Sequence, residues 1–241
     1  MEQRIASRGH RNLFLIAARQ PVAGQTKTRL GAGIGMERAA ALYRAFLVDL
    51  AARFTPAAGS DAGYDLGWAY TPAGIDFAEV LAGLGALSPP FVRFVPQEGE
   101  GWGARQANLL RWGRDHGYDR TVLVASDSPH LAAATPAAAF AALDDHEVVL
   151  GRVHDGGYYL IGLRGFQDVF SGVPMSTATA SDVLVSRASQ LGLKVAEAPA
   201  TFDVDEPEDV ERLIAALAPD GAAAPATWRT LQELGLRVPS T

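Results

Sequence analysis

Short apolar runs alternate along the chain with longer stretches in which apolar residues recur at helical spacing. A run such as TVLVA (121–125) is apolar at every position, which is typical of a strand buried on both faces of a parallel sheet. Strands are predicted at 12–18, 64–70, 91–95, 121–125, 147–153, 158–163 and 193–199. Helices are predicted at 36–53, 74–84, 103–116, 134–143, 178–191, 207–217 and 227–235. The alternation predicts an α/β fold with a mainly parallel central sheet.

No shift in composition divides the chain into halves, and its 241 residues are enough for a large core. We therefore expect one domain over residues 1–225, followed by an appended helix and tail over residues 226–241. In an open parallel sheet, ligands bind beyond the carboxyl ends of the strands. Chemistry is therefore expected in the loops that follow residues 18, 70, 95, 125, 153 and 199.

Charge and composition narrow the range of partners. The formal net charge of −6 argues against nucleic acid as the main partner, because binding a duplex favours a basic surface. The chain has no cysteine, which excludes disulfides, thiolate metal sites and a cysteine nucleophile and is consistent with a cytoplasmic protein. No apolar run approaches the roughly 20 residues of a membrane-spanning helix, so we expect no membrane partner.

The first predicted strand leads into a loop, ARQPVAGQTKTRLG (18–31), that carries three basic residues. Gly24 would let backbone N–H groups approach a ligand closely, and Lys27 and Arg29 could neutralise phosphates. The P-loop pattern G-x-x-x-x-G-K-[ST] is absent. A solvated turn is the alternative interpretation, because isolated basic residues in loops usually face water. A helix from about residue 36 would add its positive end to a phosphate site.

Carboxylates follow two of the later predicted strands. Asp127 comes after strand 121–125, where it suits either Mg²⁺, which takes one or two carboxylates, or the cap of a helix. Asp203 and Asp205 alternate with Val204, so their carboxylates point to one side of an extended segment. This arrangement could place two oxygen ligands near one cation.

Glycine-rich segments occur at two further places. In VHDGGYYLIGLRG (153–165), Asp155-Gly156-Gly157 predicts a hairpin turn, but a glycine pair beside a carboxylate also lets a sugar lie against the backbone. His154 could bind or act as a base there, although an isolated histidine is more often structural. In QEGEGWGARQANLL (97–110), the glycines around Trp102 form either an ordinary loop or a cover for a base or sugar ring.

Together these motifs resemble the GT-A-like superfamily of nucleotide-dependent transferases, and most closely the bacterial DUF2064 family, whose members are labelled glycosyltransferases. MobA-like nucleotidyltransferases, including 2-phospho-lactate guanylyltransferases, are related. The resemblance covers about residues 12–214 and depends on PVAGQTKTRL, GEGWGARQAN, ASDSPHL, DGGYYLIGL, GVPMST (172–177) and DVDEPED. It implies one Rossmann-like GT-A (nucleotide-diphospho-sugar transferase) domain, a nucleotide under the first loop, and Mg²⁺ or Mn²⁺ near Asp127.

The resemblance and the motifs together assign expected roles to individual residues; the resemblance itself covers Lys27, Arg29, Asp127, Asp203, Asp205 and the turn Asp155-Gly156-Gly157. The catalytic set is Lys27, Arg29, Asp127 and Asp155. The nucleotide-binding set is Arg19, Gly24, Lys27, Arg29, Gln97, Gly101, Gly103, Arg105 and Ser126. The acceptor-binding set is His154, Asp155, Gly156, Gly157 and Ser176. The metal ligands are Asp127, Asp203 and Asp205. Two features depart from the superfamily: the first loop lacks the long glycine-rich form of sugar-nucleotide pyrophosphorylases, and the strand end reads SDS rather than DxD.

Two transfer reactions and one binding function remain open. In nucleotidyl transfer, a small anionic acceptor (a phosphate, phosphonate or carboxylate) attacks an NTP and pyrophosphate leaves; the basic first loop favours this reaction. In glycosyl transfer, a nucleotide sugar is the donor, with Asp155 or His154 as the base; the family label favours it. A non-catalytic nucleotide-binding module is the third. The expected partners are an NTP or nucleotide sugar and a small-molecule acceptor, and the sequence leaves a homodimer open.

Overall fold

A seven-stranded sheet forms the centre of the protein in the computed structural model, which describes residues 11–58, 60, 62–86 and 88–236. Its strands are β1 (Asn12–Arg19), β2 (Asp65–Thr71), β3 (Arg93–Pro96), β4 (Arg120–Ala125), β5 (Val148–Val153), β6 (Tyr158–Arg164) and β7 (Val195–Thr201). Their order is β3-β2-β1-β4-β6-β5-β7, and β6 alone among these strands runs antiparallel to its neighbours. The predicted α/β fold with a mainly parallel sheet is therefore confirmed.

Eight helices pack around this sheet among the described residues, and none of them is both long and apolar enough to cross a membrane. They are α1 (Thr28–Ile34), α2 (Met36–Phe54), α3 (Phe77–Gly83), α4 (Gly101–Asp115), α5 (Thr135–Ala142), α6 (Ala180–Gln190), α7 (Pro207–Leu217) and α8 (Pro225–Glu233).

Helix α1 was not predicted: residues 18–31 have the composition of a loop, and the first predicted helix begins at residue 36. Two glycines lower its intrinsic helix propensity. The structure explains both glycines by close packing: a Cβ on Gly31 would lie 2.5 Å from Met36 Sδ, and one on Gly33 would lie 2.1 Å from Pro207 Cγ. The short helix is therefore stabilised by tertiary contacts that a local pattern does not reveal.

The sheet separates two apolar cores. Along β1, Phe14 and Ile16 face the core that contains α2 and α7, whereas Leu13 and Leu15 face the core that contains α4 and α6. All four side chains are fully buried, and each contributes roughly 1.5–3 kcal/mol by leaving water. Burial on both faces explains why this strand and β4 are continuously apolar.

The C-terminal helix packs against α2. Asp49 of α2 is buried and accepts hydrogen bonds from the backbone N–H groups of Ala226, at 2.9 Å, and Thr227, at 2.7 Å, in the first turn of α8. The division of the chain at residue 225 stays a prediction, and residues 1–10 and 237–241 of the two predicted segments lie outside the described residues.

The sheet has a topological switch point between β1 and β4. These strands pair in parallel, with Ala17 beside Ala125, but the chain continues from β1 to β2 on one side and from β4 towards the other. Loops that leave the two carboxyl ends in opposite directions open a crevice between them, which is where open α/β sheets bind ligands.

Candidate active site

Lys27 lies at the centre of this crevice, in the loop between β1 and α1. Its backbone is left-handed (φ 50°), which is uncommon for a residue other than glycine. Its side chain is 4% exposed, and Nζ donates to Asp205 Oδ1 at 2.8 Å and pairs with Asp127. Burial alone would lower the pKa of Lys27, but the two carboxylates outweigh it and raise the pKa above its usual value. Lys27 is therefore a buried, fixed positive charge.

Two carboxylates, on Asp127 and Asp205, contact this ammonium group, and the carboxyl group of Asp203 lies close enough to feel their charges. Asp127 follows β4, and Asp203 and Asp205 follow β7; Val204 N donates to Asp127 O at 3.0 Å and joins the two segments. Burial, together with the charges of Asp127 and Asp205, raises the pKa of Asp203 to about 7. Burial also acts to raise the pKa of Asp205, but Lys27 and Arg29 outweigh it and lower that pKa. Burial and the neighbouring carboxylates therefore favour the protonated form of Asp203, whereas the two cations favour the ionised form of Asp205.

The first cavity, of about 370 Å³, lies over this cluster and is rich in positive charge. Its charged lining is Arg19, Lys27, Arg29 and Arg105, with Asp127 and Asp205 at its floor. Arg29 is exposed: 65% of its side chain is accessible to solvent, and it pairs with Asp205 and Glu206. Four cations against two carboxylates suit an anionic ligand such as a polyphosphate.

The predicted nucleotide-binding residues divide into two groups. Arg19, Gln97, Arg105 and Ser126 line the first cavity with Lys27 and Arg29. The glycines Gly24, Gly101 and Gly103 are not among its lining residues. Gly24 and Gly101 instead give their loops positive φ angles (74° and 78°), and Gly101 and Gly103 line a groove beside α4.

Two of the lining residues have structural bonds that the sequence did not suggest. The side-chain amide of Gln97 donates to Ala69 O at 2.7 Å and to Ala18 O at 3.2 Å, which joins the ends of β2 and β1. Ser126 Oγ lies 2.7 Å from the hydroxyl of Tyr43, which accepts from Arg19 N at 3.0 Å. These bonds shape the cavity wall.

The second cavity, of about 590 Å³, opens from the first across Trp102 and Asp127. One wall is aromatic and apolar, and its polar groups include the carboxylates of Asp155 and Asp203. The wall residues are Trp102, Gln106, Tyr158, Tyr159 and Met175. Gln106 is buried and its side-chain amide donates to the Tyr158 hydroxyl at 2.8 Å, so this wall is held in place by its own hydrogen bond.

Only some of the predicted acceptor-binding residues line the second cavity. Asp155, Gly157 and Ser176 line the second cavity. His154 is exposed and lines an adjacent hollow of about 310 Å³ that also contains Asp203 and Asp205. Gly156 faces the protein: a Cβ there would lie 1.8 Å from Ala178 O.

The segment Asp155-Gly156-Gly157 is the turn of the β5–β6 hairpin, as the simpler interpretation predicts. Val153 N donates to Gly157 O at 3.2 Å, and Gly157 N donates to Asp155 Oδ1 at 2.8 Å. Ser181 N and Oγ both donate to Gly156 O, at 3.1 and 2.8 Å, which fixes the turn to α6. The same turn therefore holds Asp155 at the mouth of the second cavity.

Asp127 and Asp205 pair with Lys27, so the carboxylates do not converge on one position that a metal ion could occupy. Among the described residues, no group of three or more histidine, aspartate or glutamate side chains is arranged to hold a metal ion. Their chemistry nevertheless fits a divalent cation, since carboxylate oxygens are the preferred ligands of Mg²⁺ and suit Mn²⁺.

Sequence reasoning missed most of the second cavity's wall. Gln106, Tyr158 and Met175 come from α4, β6 and the segment before α6, and no local pattern marks them as neighbours. The sequence left Trp102 open as either an ordinary loop residue or a cover for a base or sugar ring. The glycine pattern around it was the available signal, because Gly103 allows Met175 to pack within 3.0 Å of the position that its Cβ would occupy.

Comparisons with known proteins agree with this architecture. The family model described as "Uncharacterized protein conserved in bacteria (DUF2064)" matches residues 57–177. A crystal structure from Desulfovibrio desulfuricans G20, described as a "putative nucleotide-diphospho-sugar transferase", is 30% identical, with a TM-score of 0.80; the match covers 92% of this chain and 96% of that one. No curated protein matches the chain.

Two less similar structures share the fold alone. A CMP:2-keto-3-deoxy-manno-octonic acid synthetase complexed with CTP is 14% identical, with a TM-score of 0.52, and the match covers 86% of this chain and 98% of that one. A cytidylyltransferase from Leptospira borgpetersenii serovar Hardjo-bovis (strain JB197) is 15% identical, with a TM-score of 0.54, and the match covers 94% and 96%. The family match and the Desulfovibrio structure confirm the resemblance found in the sequence, and the chain belongs to the DUF2064 family.

Proposed function

We propose that the chain is a nucleotide-dependent transferase that takes an NTP in the first cavity and transfers its nucleotidyl group to a small molecule in the second. The observation that carries this proposal is the cluster at the junction of the cavities. There Lys27, buried and charged, lies against Asp127 and Asp205, with three arginines lining the same cavity. A fixed set of cations stabilises the charge that gathers on the phosphates during transfer.

The reaction needs no nucleophile from the protein. An acceptor oxygen forms a bond to the α-phosphorus, the bond from that phosphorus to the bridging oxygen breaks, and the electron pair leaves with pyrophosphate. A proton carried by the acceptor oxygen passes to a nearby carboxylate or to water. Lys27 and Arg29 hold the phosphates in line, and Asp155 lies at the acceptor side.

A divalent cation, Mg²⁺ or Mn²⁺, belongs to this proposal, with Asp127, Asp203 and Asp205 as the residues that would hold it. When bound, such an ion neutralises phosphate charge and orients the leaving group. Lys27 now pairs with two of these carboxylates, so we expect its ammonium group to pass to the nucleotide phosphates when the cation binds.

Glycosyl transfer from a nucleotide sugar is the second candidate. It is favoured by the name of the Desulfovibrio structure, which is 30% identical over most of both chains. In that reaction the nucleotide diphosphate would lie in the first cavity and the sugar in the second. The same cationic residues would then stabilise the leaving diphosphate.

The two candidates are separated by measuring which nucleotides bind. The full chain is melted with each NTP and with UDP- and GDP-sugars, in the presence of Mg²⁺ or Mn²⁺, because a compound that binds the native state raises Tm. A larger shift with a free triphosphate supports nucleotidyl transfer, and a larger shift with a nucleotide sugar supports glycosyl transfer. No shift with any of them would contradict both.

We predict that Asp127→Asn folds normally and loses metal-dependent turnover by about a hundredfold or more, because one cation ligand and one partner of Lys27 lose their charge. Turnover is measured with the nucleotide that gives the largest shift. The control is Asp115→Asn, which alters an exposed carboxylate that pairs with Arg114 on α4. Equal rates for the two variants would remove Asp127 from the chemistry.

A further inference from the structure

The second cavity differs in charge from the first. Its ionisable lining consists of four carboxyl groups, on Asp127, Asp155, Asp203 and Asp205, and one guanidinium group, on Arg29. Arg29 already pairs with Asp205 and Glu206. Lys27 and a divalent cation could offset the remaining negative charge, but the phosphates of a bound nucleotide need the same positive groups. A second anion in this cavity would therefore be repelled.

One carboxylate of the second cavity is free to act on a ligand. Among the described residues, Asp155 forms no ion pair; its Oδ1 accepts from Gly157 N at 2.8 Å within its own turn. Its second oxygen can accept a hydrogen bond from a donor in the cavity. A carboxylate in this position suits a hydroxyl group, which donates, and does not suit a phosphate or carboxylate, which only accepts.

The opposite wall supplies apolar area and further polar groups. Trp102 and Tyr158 present aromatic rings, Met175 contributes a thioether, and Ser176 adds a hydroxyl group from a backbone with φ 61°. Left-handed geometry at a serine is uncommon, so this loop shape is imposed by its surroundings. An aromatic wall facing carboxylate and hydroxyl groups matches a molecule with one apolar face and a rim of hydroxyl groups.

We propose that the second cavity binds an uncharged, hydroxyl-bearing group, such as a polyol or sugar, between Asp155 and the wall formed by Trp102, Tyr158 and Met175. The inference rests on the proposed function, which it refines by replacing the anionic acceptor that the sequence analysis expected. Under nucleotidyl transfer the acceptor is an alcohol, and under glycosyl transfer the same group is a sugar.

The test compares molecules that share a carbon skeleton and differ in charge. Glucose is paired with glucose 6-phosphate, and glycerol with glycerol 3-phosphate. Each is titrated calorimetrically into the full chain with Mg²⁺ and saturating inorganic tripolyphosphate, which occupies the cations of the first cavity, but without nucleotide; tryptophan fluorescence is followed in parallel. We expect a neutral member to bind at least tenfold more tightly than its phosphorylated partner and to change the fluorescence. That change should be lost in Trp102→Phe.

A variant at Asp155 tests the assigned contact. Asp155→Asn keeps an oxygen that can accept from Gly157 N, so the turn is preserved. We expect the substitution to weaken binding of the neutral probe by about tenfold and to reduce the ratio of its affinity to that of the phosphorylated probe. Asp115→Asn on α4 serves as the control and leaves both affinities unchanged.

The proposal is overturned if the phosphorylated member of either pair binds more tightly, or if neither neutral probe binds. Because these titrations omit nucleotide, their outcome is independent of the nucleotide panel. Binding of the neutral probe with no response to any nucleotide would contradict the proposed transferase and retain the assigned pocket. A nucleotide response combined with tighter binding of the phosphorylated probe would support the proposed transferase and contradict the assigned pocket.

Discussion

At the scale of single residues, Lys27 shows why side-chain identity matters at the centre of the site. The chain has only two lysines, Lys27 and Lys194, beside many arginines, and Lys27 is the buried one. A compact ammonium group fits between the carboxylates of Asp127 and Asp205, whereas a planar guanidinium group needs more room and a different set of acceptors.

We predict that Lys27→Arg lowers the free energy of unfolding by about 1–3 kcal/mol through overpacking and weakens nucleotide binding by about tenfold or more. Urea unfolding and calorimetric titration measure the two effects. The matched control is Lys194→Arg, which makes the same change at an exposed position. If both variants behave like the parent chain, the fit around the ammonium group is not tight.

His130 gives a pH dependence that is set by its surroundings. Its ring stacks on Phe202 with centroids 4.1 Å apart, Nε2 lies 2.9 Å from Thr201 Oγ1, and Nδ1 is buried with no partner among the described residues. Burial, aided by the charges of Arg53 and Arg212, lowers the pKa of His130 to about 4. Between about pH 4 and 6.5, the unfolded chain therefore binds more protons at this position than the folded chain.

We predict that this histidine destabilises the fold progressively as the pH falls from 6.5 to 4, by at most about 3 kcal/mol. The free energy of unfolding in urea, measured across this range, should fall more steeply for the parent chain than for His130→Gln. The difference between the two curves isolates this group from the carboxylates that titrate in the same range. Parallel curves would show that the imidazole is hydrated in the folded chain.

At the scale of elements, the β5–β6 hairpin and α6 form one unit that lines the second cavity. Gly156 has φ 89°, and a Cβ there would lie 1.8 Å from Ala178 O. We predict that Gly156→Ala costs about 3 kcal/mol or more, because it combines an unfavourable backbone with a clash against main chain. Urea unfolding measures this cost.

A substitution at Gly165, just beyond β6, separates the backbone contribution from the clash contribution to the stability cost of Gly156→Ala. Gly165 has φ 69°, but a Cβ there would meet nothing within 4 Å. Gly165→Ala should therefore lose only the backbone part, about 1 kcal/mol. If both variants lost the same stability, the contact between the hairpin and α6 would not be rigid.

The strands and helices show which parts of the fold a local sequence pattern could predict. All seven strands were predicted. For β1 and β4 the signal is burial on both faces, which leaves a continuously apolar run in the sequence. Helix α1 was missed because Gly31 and Gly33 are explained only by Met36 and Pro207. The pairing of Lys27 with Asp205, 178 residues apart, and the wall at Met175 depend on how distant segments meet, which no local pattern contains.

At the scale of the whole molecule, the net charge and the first cavity act in opposite directions on a nucleotide. The chain carries a net charge of −6, which repels an anion at long range, whereas four cations line the cavity in which we propose that the nucleotide binds. Salt screens the long-range repulsion between exposed charges more strongly than the short contacts inside a cavity, since the Debye length is about 10 Å at 0.1 M.

We therefore predict that added salt leaves the association rate of a fluorescent nucleotide unchanged or raises it, while it increases the dissociation rate. Stopped-flow measurements separate the two rates. A range from about 20 to 300 mM KCl changes the Debye length from roughly 20 to 6 Å. Arg105→Ala should raise the dissociation rate and reduce its dependence on salt, because one cation of the cavity is lost.

The control is Arg114→Ala, which removes an exposed cation from the same helix outside the cavity. It makes the same change in net charge and should leave the dissociation rate unchanged. A steep fall in association rate with salt would mean instead that the positive field of the cavity extends beyond its mouth and steers the nucleotide in against the net charge.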